Sequence, residues 1–220
     1  GGSGGRYYAD GSDAIHIVPD SRNQPAEFTE NRFPFIVEKL ALATDSAGAG
    51  EFRGGLGYLK EYRSLVDCYT LVSADRVRLG CYGVNGGQAS EPFGVYVDAE
   101  GRNEKLGGLK DDVPLASGEL MRVKTTGGGG WGDPLARKME AVRMDVWQTK
   151  VSQASAREDY GVVFSGFDGD EPILDEKATE ALRNELREAR SNDKIMIDRG
   201  PGLEELTPAN PESMKAQRYA

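Results

Sequence analysis

Histidine and cysteine are nearly missing from this chain, with one His and two Cys among 220 residues. The lone His16 excludes a multi-histidine metal site within the chain, and any serine–histidine relay would have to run through that one residue. It reads as a packed strand residue rather than a base. Cys68 and Cys81 are too few for a disulfide scaffold and read as reduced thiols of a cytoplasmic protein. Basic charge is short as well: 27 basic residues stand against 36 acidic ones, a net charge of −9. That balance argues against a nucleic-acid partner, which needs clustered Lys and Arg to neutralise phosphates. No apolar run approaches the ~18 residues of a membrane span, and no basic-then-apolar leader opens the chain. It opens instead on Gly1-Gly2-Ser3-Gly4-Gly5, without an initiator Met, as a linker or a cut inside a longer chain would.

Large aliphatic side chains are scarce too. Leu, Ile, Val and Phe together make up about a fifth of the residues, close to the level at which chains stop folding, while Gly alone supplies 29. A thin core follows, with long loops, an exposed tail, or a core completed by another chain. The expected fold class is α+β: a strand-rich core over about 14–126, then short helices, then an acidic helical and extended tail.

Residues 1–31 are polar and turn-rich, and only Ala14-Ile15-His16-Ile17-Val18 is long enough for a strand, which Pro19 ends. Strands are then expected at 33–40, 57–65, 67–72, 94–97 and 120–126. Glycine-rich turns separate them, a spacing that favours a sandwich or barrel-like layer over a βαβ fold. Asp133 is a good N-cap and Pro134 suits a first helical turn, with Leu135, Met139 and Val142 following at helical spacing. A second short helix is expected from Ser152 to Gly161, whose glycine fits a left-handed C′ position. Val162–Phe164 reads as a closing strand. Asp175 caps a helix over about 175–190 with a narrow stripe of Ala178, Leu182 and Leu186. Beyond Asn192 the proline-containing chain reads as an extended tail. The expected division is 1–164 and 165–220.

Two stretches can carry chemistry. In Thr125-Thr126-Gly127-Gly128-Gly129-Gly130-Trp131-Gly132-Asp133-Pro134, four glycines precede a helix start, so backbone N–H groups can approach an anion. Neither a Walker A lysine nor a dinucleotide fingerprint accompanies them. The alternative is a tight turn where chain segments pack backbone to backbone. In Asp45-Ser46-Ala47-Gly48-Ala49-Gly50-Glu51-Phe52-Arg53-Gly54-Gly55-Leu56-Gly57, small residues crowd around one arginine. Buried, Arg53 needs a carboxylate partner; exposed, it can bind an anionic substrate group. Asp111 and Asp112 read as a solvated turn rather than a carboxylate pair, because neighbours on a strand point apart.

In order, these motifs resemble the rear part of the hydantoinase B family, subunits of N-methylhydantoinase, 5-oxoprolinase, acetone carboxylase and acetophenone carboxylase. The resemblance runs from residue 1 to about Phe164. It is carried by the Gly-rich opening with Asp10-Gly11, by Asn23, Pro25 and Glu27, and by Arg32-Phe33-Pro34 with Val37-Glu38. It continues through Asp45-Ser46, Gly48-Ala49-Gly50, Arg53-Gly54-Gly55-Leu56-Gly57 with Glu61-Tyr62-Arg63, the Gly127–Pro134 stretch and Asp159-Tyr160-Gly161-Val162-Val163. The tail from Ser165 has no place in it. The resemblance implies a section of an ATP-dependent carboxylase acting on a ketone through a phosphorylated enol. The alternatives are an ATP-dependent cyclic-amide hydrolase, or a non-catalytic assembly segment of such a complex. It places the divalent metal in a front portion of the subunit and ATP on a separate hydantoinase A-like subunit. Both of those are expected partners, and this chain is expected to hold no cofactor or metal and to be inactive alone. Arg53 and Gly127, Gly128, Gly129 and Gly130 are the candidate anion-binding wall of the site.

Overall fold

Alternating β-branched and aromatic residues make strands wherever turn residues release them. The computed structural model describes residues 1–15, 22–190 and 196–201. In chain order its elements are α1 (Ala26–Arg32), β1 (Phe35–Leu42), β2 (Tyr58–Ser64), β3 (Cys68–Ser73), β4 (Gly83–Val84), β5 (Gly94–Val97), β6 (Glu104–Lys105), β7 (Leu109–Leu115) and β8 (Leu120–Lys124). A 3-10 turn (Pro134–Ala136), α2 (Met139–Trp147), α3 (Gln153–Glu158), β9 (Phe164–Asp168), β10 (Glu171–Leu174), α4 (Glu176–Ala189) and β11 (Ile197–Asp198) complete the set. The fold is α+β, as the alternation and caps lead one to expect.

The largest sheet runs β1-β2-β8-β5-β6 with antiparallel neighbours throughout. The other strands form three two-stranded pairs: β3 with β7, β4 with β11, and β9 with β10. A thin supply of aliphatics thus builds one open sheet and small ribbons rather than a closed sandwich. Val72, Val95, Val97, Leu106 and Leu115 form one buried cluster, which joins the β3–β7 ribbon to the main sheet. A second cluster gathers Val142, Val146, Val151, Ala156, Tyr160 and Val162 around α2 and α3, with Phe164 and Leu174 against it.

Several expectations need correction. Residues 26–32 form a helix where only turns were expected; its seven residues bury none of their side chains, so no apolar period marks it. Asp111 and Asp112 lie on β7, not in a turn. A register shift between Thr70 and Val72 and a positive φ of 53° at Asp112 let both carboxylates reach solvent. The Asp133 cap is present, its side chain accepting from Leu135 N at 2.9 Å, but the helix it starts is a single 3-10 turn and α2 begins afresh at Met139. Ser152 and Asp175 cap α3 and α4, and Gly161 takes φ 62°. The 164–174 stretch is a hairpin turning at Gly169 rather than a single closing strand. In the tail, β11 pairs with β4 and the Asp198 carboxylate accepts from Ala89 N at 2.8 Å. The expected strand at 14–18 falls mainly, and His16 wholly, outside the described residues.

Between the sheet and the helical cluster lies a glycine-rich region. Segments 1–5, 48–57, 80–88 and 126–132 run past one another and bond backbone to backbone. Gly48 N donates to Gly128 O (2.9 Å), Gly128 N to Gly55 O (2.8 Å), Gly55 N to Ser3 O (2.8 Å), and Gly5 N to Gly129 O (2.8 Å). Gly130 N donates to Gln88 O (3.0 Å), and Val84 N to Gly130 O (3.0 Å). All four glycines from 127 to 130 are buried. Glycine is required by contact here, not by dihedral. A Cβ at Gly128 would lie 1.8 Å from Ser3 O, and one at Gly129 1.7 Å from Tyr82 O. Neither neighbour is a flexible side-chain end, so the backbone itself would have to move. Gly129→Ala should therefore destabilise the full-length protein by about 3 kcal/mol or more. Gly107→Ala, where nothing lies within 4 Å of an added Cβ, should stay within about 0.5 kcal/mol of wild type. Denaturant unfolding of the pair checks this, and equal midpoints would contradict it.

Candidate functional site

Arg53 leaves the glycine-threaded region and enters a buried charged cluster. It is only 3% exposed. Its Nε and Nη2 donate to the two oxygens of Asp145 at 3.4 Å each, and its Nη1 donates to Asp13 Oδ1 at 3.3 Å and to Gly54 O. Arg137, which follows the 3-10 turn, grips Asp10 with both terminal nitrogens (2.6 and 2.7 Å) and reaches Asp145 Oδ2 at 2.7 Å. Asp10 also accepts from Arg53 N at 2.8 Å, Asp13 from Leu56 N at 2.9 Å, and Lys150 Nζ sits 3.0 Å from Asp13. Asp145 projects from α2, so the cluster ties the chain opening, the Arg53 loop, the 3-10 turn and α2 together. The Arg137 Nε is buried and finds no hydrogen-bond partner among the described residues.

The charges sustain one another. Burial works against ionisation of Asp10, but the hydrogen bond from Arg137, and then the charges of Arg137 and Arg53, hold its carboxyl below the usual range. At Asp13, burial is likewise outweighed by the Leu56 N–H, by Lys150 and by Arg53. Burial pulls the Arg53 guanidinium down, yet Asp145, Asp13 and Asp10 together raise it above its ordinary value, and Arg137 is raised in the same way. Beside them the fully buried Tyr160 phenol is pushed up, chiefly by burial. Every carboxylate here is engaged by a guanidinium or an ammonium. A set of three acids interleaved with two arginines and a lysine does not fit a divalent cation, and no step through a metal is assigned to it.

Of the candidates named from sequence, Arg53 thus faces carboxylates inside the molecule. The N–H groups of Gly128 and Gly130 point at neighbouring carbonyls. Arg53 and the glycine stretch are brought together, since Gly54 packs on Gly128. Sequence reasoning passed over Arg137 and Asp145, whose bonds to Asp10 and Arg53 span 127 and 92 residues. No local spacing announces such pairs; the signal was that a small-residue loop gives a buried arginine no partner of its own.

An open sheet, a backbone-packed glycine region and a buried ion cluster thus make up one α+β section. The chain belongs to the hydantoinase B/oxoprolinase family, whose model matches residues 1–134. An uncharacterized protein of Methanocaldococcus jannaschii is 38% identical over 161 residues, which are 73% of this chain and 28% of that protein. Caprolactamase subunit beta of Pseudomonas jessenii is 35% identical over 162 residues, 71% of this chain and 27% of the subunit. The crystal structure of the ATP-dependent caprolactamase from the same organism superposes with a TM-score of 0.66 at 32% identity, covering 84% of this chain and 32% of that one. Nucleotide-free acetone carboxylase gives a TM-score of 0.69 over 99% of this chain and 32% of its own, at 23% identity, a likeness of fold. The chain spans about a third or less of the length of these relatives.

Two outcomes test the cluster. Arg137→Met removes the guanidinium from Asp10 and leaves Asp145 to Arg53 alone, and should destabilise by about 3–5 kcal/mol, as breaking buried pairs does. Asp10 and Asp13 bind protons more weakly folded than unfolded. Their contribution is therefore complete above the unfolded carboxylate range near ~4 and fades as pH falls through the lower folded values. Denaturation midpoints should be flat from about pH 7 to 5 and fall below about pH 4. Asp10→Asn should shallow that fall, and an unchanged slope would remove Asp10 from the account.

Proposed function

We propose that this chain is a section of a subunit of an ATP-dependent cyclic-amide hydrolase. The observation that carries the reading is the similarity to ATP-dependent caprolactamase, at 32% identity over 84% of the chain. A ketone carboxylase working through a phosphorylated enol is the second reading, favoured by the full-length overlap with acetone carboxylase. At 23% identity that overlap supports a shared scaffold and says nothing about a ketone. In either reaction ATP activates a substrate oxygen, and the activated species must be kept from stray water. The work assigned to these residues is mechanical and electrostatic. Gly127–Gly130 and Arg53 form the dry frame of a site wall, and the charged cluster keeps that frame from shifting against α2. The metal-holding front portion of the subunit and a hydantoinase A-like ATPase subunit are the proposed partners, in the cytoplasm.

Co-expression of the full-length subunit with its ATPase partner tests the choice. ADP release should depend on a lactam, a hydantoin or 5-oxoproline. Release that depends instead on a ketone plus bicarbonate would transfer the assignment to the carboxylase. An intact complex that does neither would overturn both.

A further inference from the structure

Three arginines are buried in the described chain, and two of them face carboxylates. Arg53 has Asp13 and Asp145; Arg137 has Asp10 and Asp145. Arg183, on α4, is 6% exposed and has none among the described residues. Its Nε donates to Tyr160 O at 2.9 Å and its Nη2 to Arg137 O at 2.8 Å, two neutral acceptors that orient the guanidinium without neutralising it. One turn along stands Arg187, bonded to Leu135 O at 3.1 Å and Asn184 Oδ1 at 3.3 Å, again with no carboxylate partner among the described residues. Like charges at this spacing repel. Burial first, and then the charge of Arg187, pull Arg183 below the ordinary guanidinium value, with Asp133 offsetting part of the effect.

Both arginines line a cavity of about 330 Å³ together with Asn184, Met139 and Glu180. A chain with nine excess negative charges has placed two guanidiniums without an ion-pair partner among the described residues on the wall of one hollow, against the single carboxylate of Glu180. Carbonyl bonds fix the planes of both forks in advance, which lowers the entropy lost when a ligand is gripped. Guanidinium pairs of this kind suit planar or tetrahedral oxyanions, which they bind through parallel N–H···O bonds.

We propose that the α4 cavity is an anion-binding site for a phosphoryl or carboxylate group, held between Arg183 and Arg187, with Asn184 as an additional donor and Glu180 as the wall that limits affinity. The site lies beyond the residues the family model matches, abuts the Arg53 cluster at the Arg137 backbone carbonyl without using any of its carboxylates, and does not rest on the hydrolase reading. An occupant would discharge the repulsion between the arginines and pin α4 to the 3-10 turn and to Tyr160.

The test is titration calorimetry on the full-length protein, with inorganic phosphate and with acetate, at constant ionic strength. Wild type should bind at least one of the two at millimolar concentration or tighter. Phosphate alone assigns a phosphoryl group, whereas acetate alike assigns a carboxylate, and both results support the site. Arg183→Met removes two structural bonds and can fail to fold, so the informative variants are the exposed Arg187→Gln and Glu180→Gln. Arg187→Gln should weaken binding about tenfold, as loss of one charge-assisted pair does, and Glu180→Gln should tighten it several-fold. Absence of heat with both anions, or affinities that neither variant moves, would overturn the proposal.

Discussion

Four stretches of this chain meet with carbonyls where side chains would normally stand. That contact sets the terms for everything around it. Backbones this close bury little apolar area, so hydrophobic burial cannot be what holds them. Hydrogen bonds that no water can replace do the holding instead, because an unmade bond in such a place costs the full desolvation of its donor or acceptor. The chain Gly48 to Gly128 to Gly55 to Ser3 is one run of these bonds. It joins residues far apart in sequence without a strand or helix being formed. Conformational entropy argues against such an arrangement, glycine above all. The surrounding elements must therefore clamp it.

The clamps sit on two sides. The five-stranded sheet runs into one flank, where β2 begins at Tyr58 and β8 ends at Lys124 and Thr125 N donates to Tyr58 O. On the other, Arg53 reaches out of the glycine region to α2, and Arg137 binds the same Asp145 while gripping Asp10 from the chain opening. Buried ion clusters seldom add net stability over apolar packing, but they penalise every arrangement that leaves one charge unpaired. Here the penalty falls on sliding, the one motion that smooth glycine contacts would otherwise permit. Arg183 and Arg187 extend the same logic outward, tying α4 to carbonyls of the 3-10 turn.

Much of this was legible in the residues. Alternation located β2 and β8, β-branched and aromatic runs located β3 and β5, and Ser152 and Asp175 announced the helices they cap, while the Asp133 cap opened only a 3-10 turn. The order of glycine motifs pointed to the family. What escaped did so for identifiable reasons. Helix α1 buries nothing and so shows no period. Strand β7 carries Asp111 and Asp112 facing water across a bulge, which imitates a turn. The buried face of α4 is Thr179 and Arg183, polar residues beside the apolar stripe, because the hydroxyl of Thr179 accepts from Val163 N and Arg183 serves carbonyls. At the candidate site, the burial of Arg53 could be suspected from its small neighbours. Its partners could not, since they arrive from the chain opening and from α2.

The glycine-threaded contact should be as rigid as the centre of the sheet, although little of it is strand or helix. Native-state hydrogen exchange on the full-length protein measures it directly. The amides of Gly48, Gly55, Gly128 and Gly130 should exchange only through global unfolding, more slowly than those of α1 and as slowly as the centre of the sheet. Exchange of these four amides by local opening, while β2 and β8 stay protected, would contradict the account.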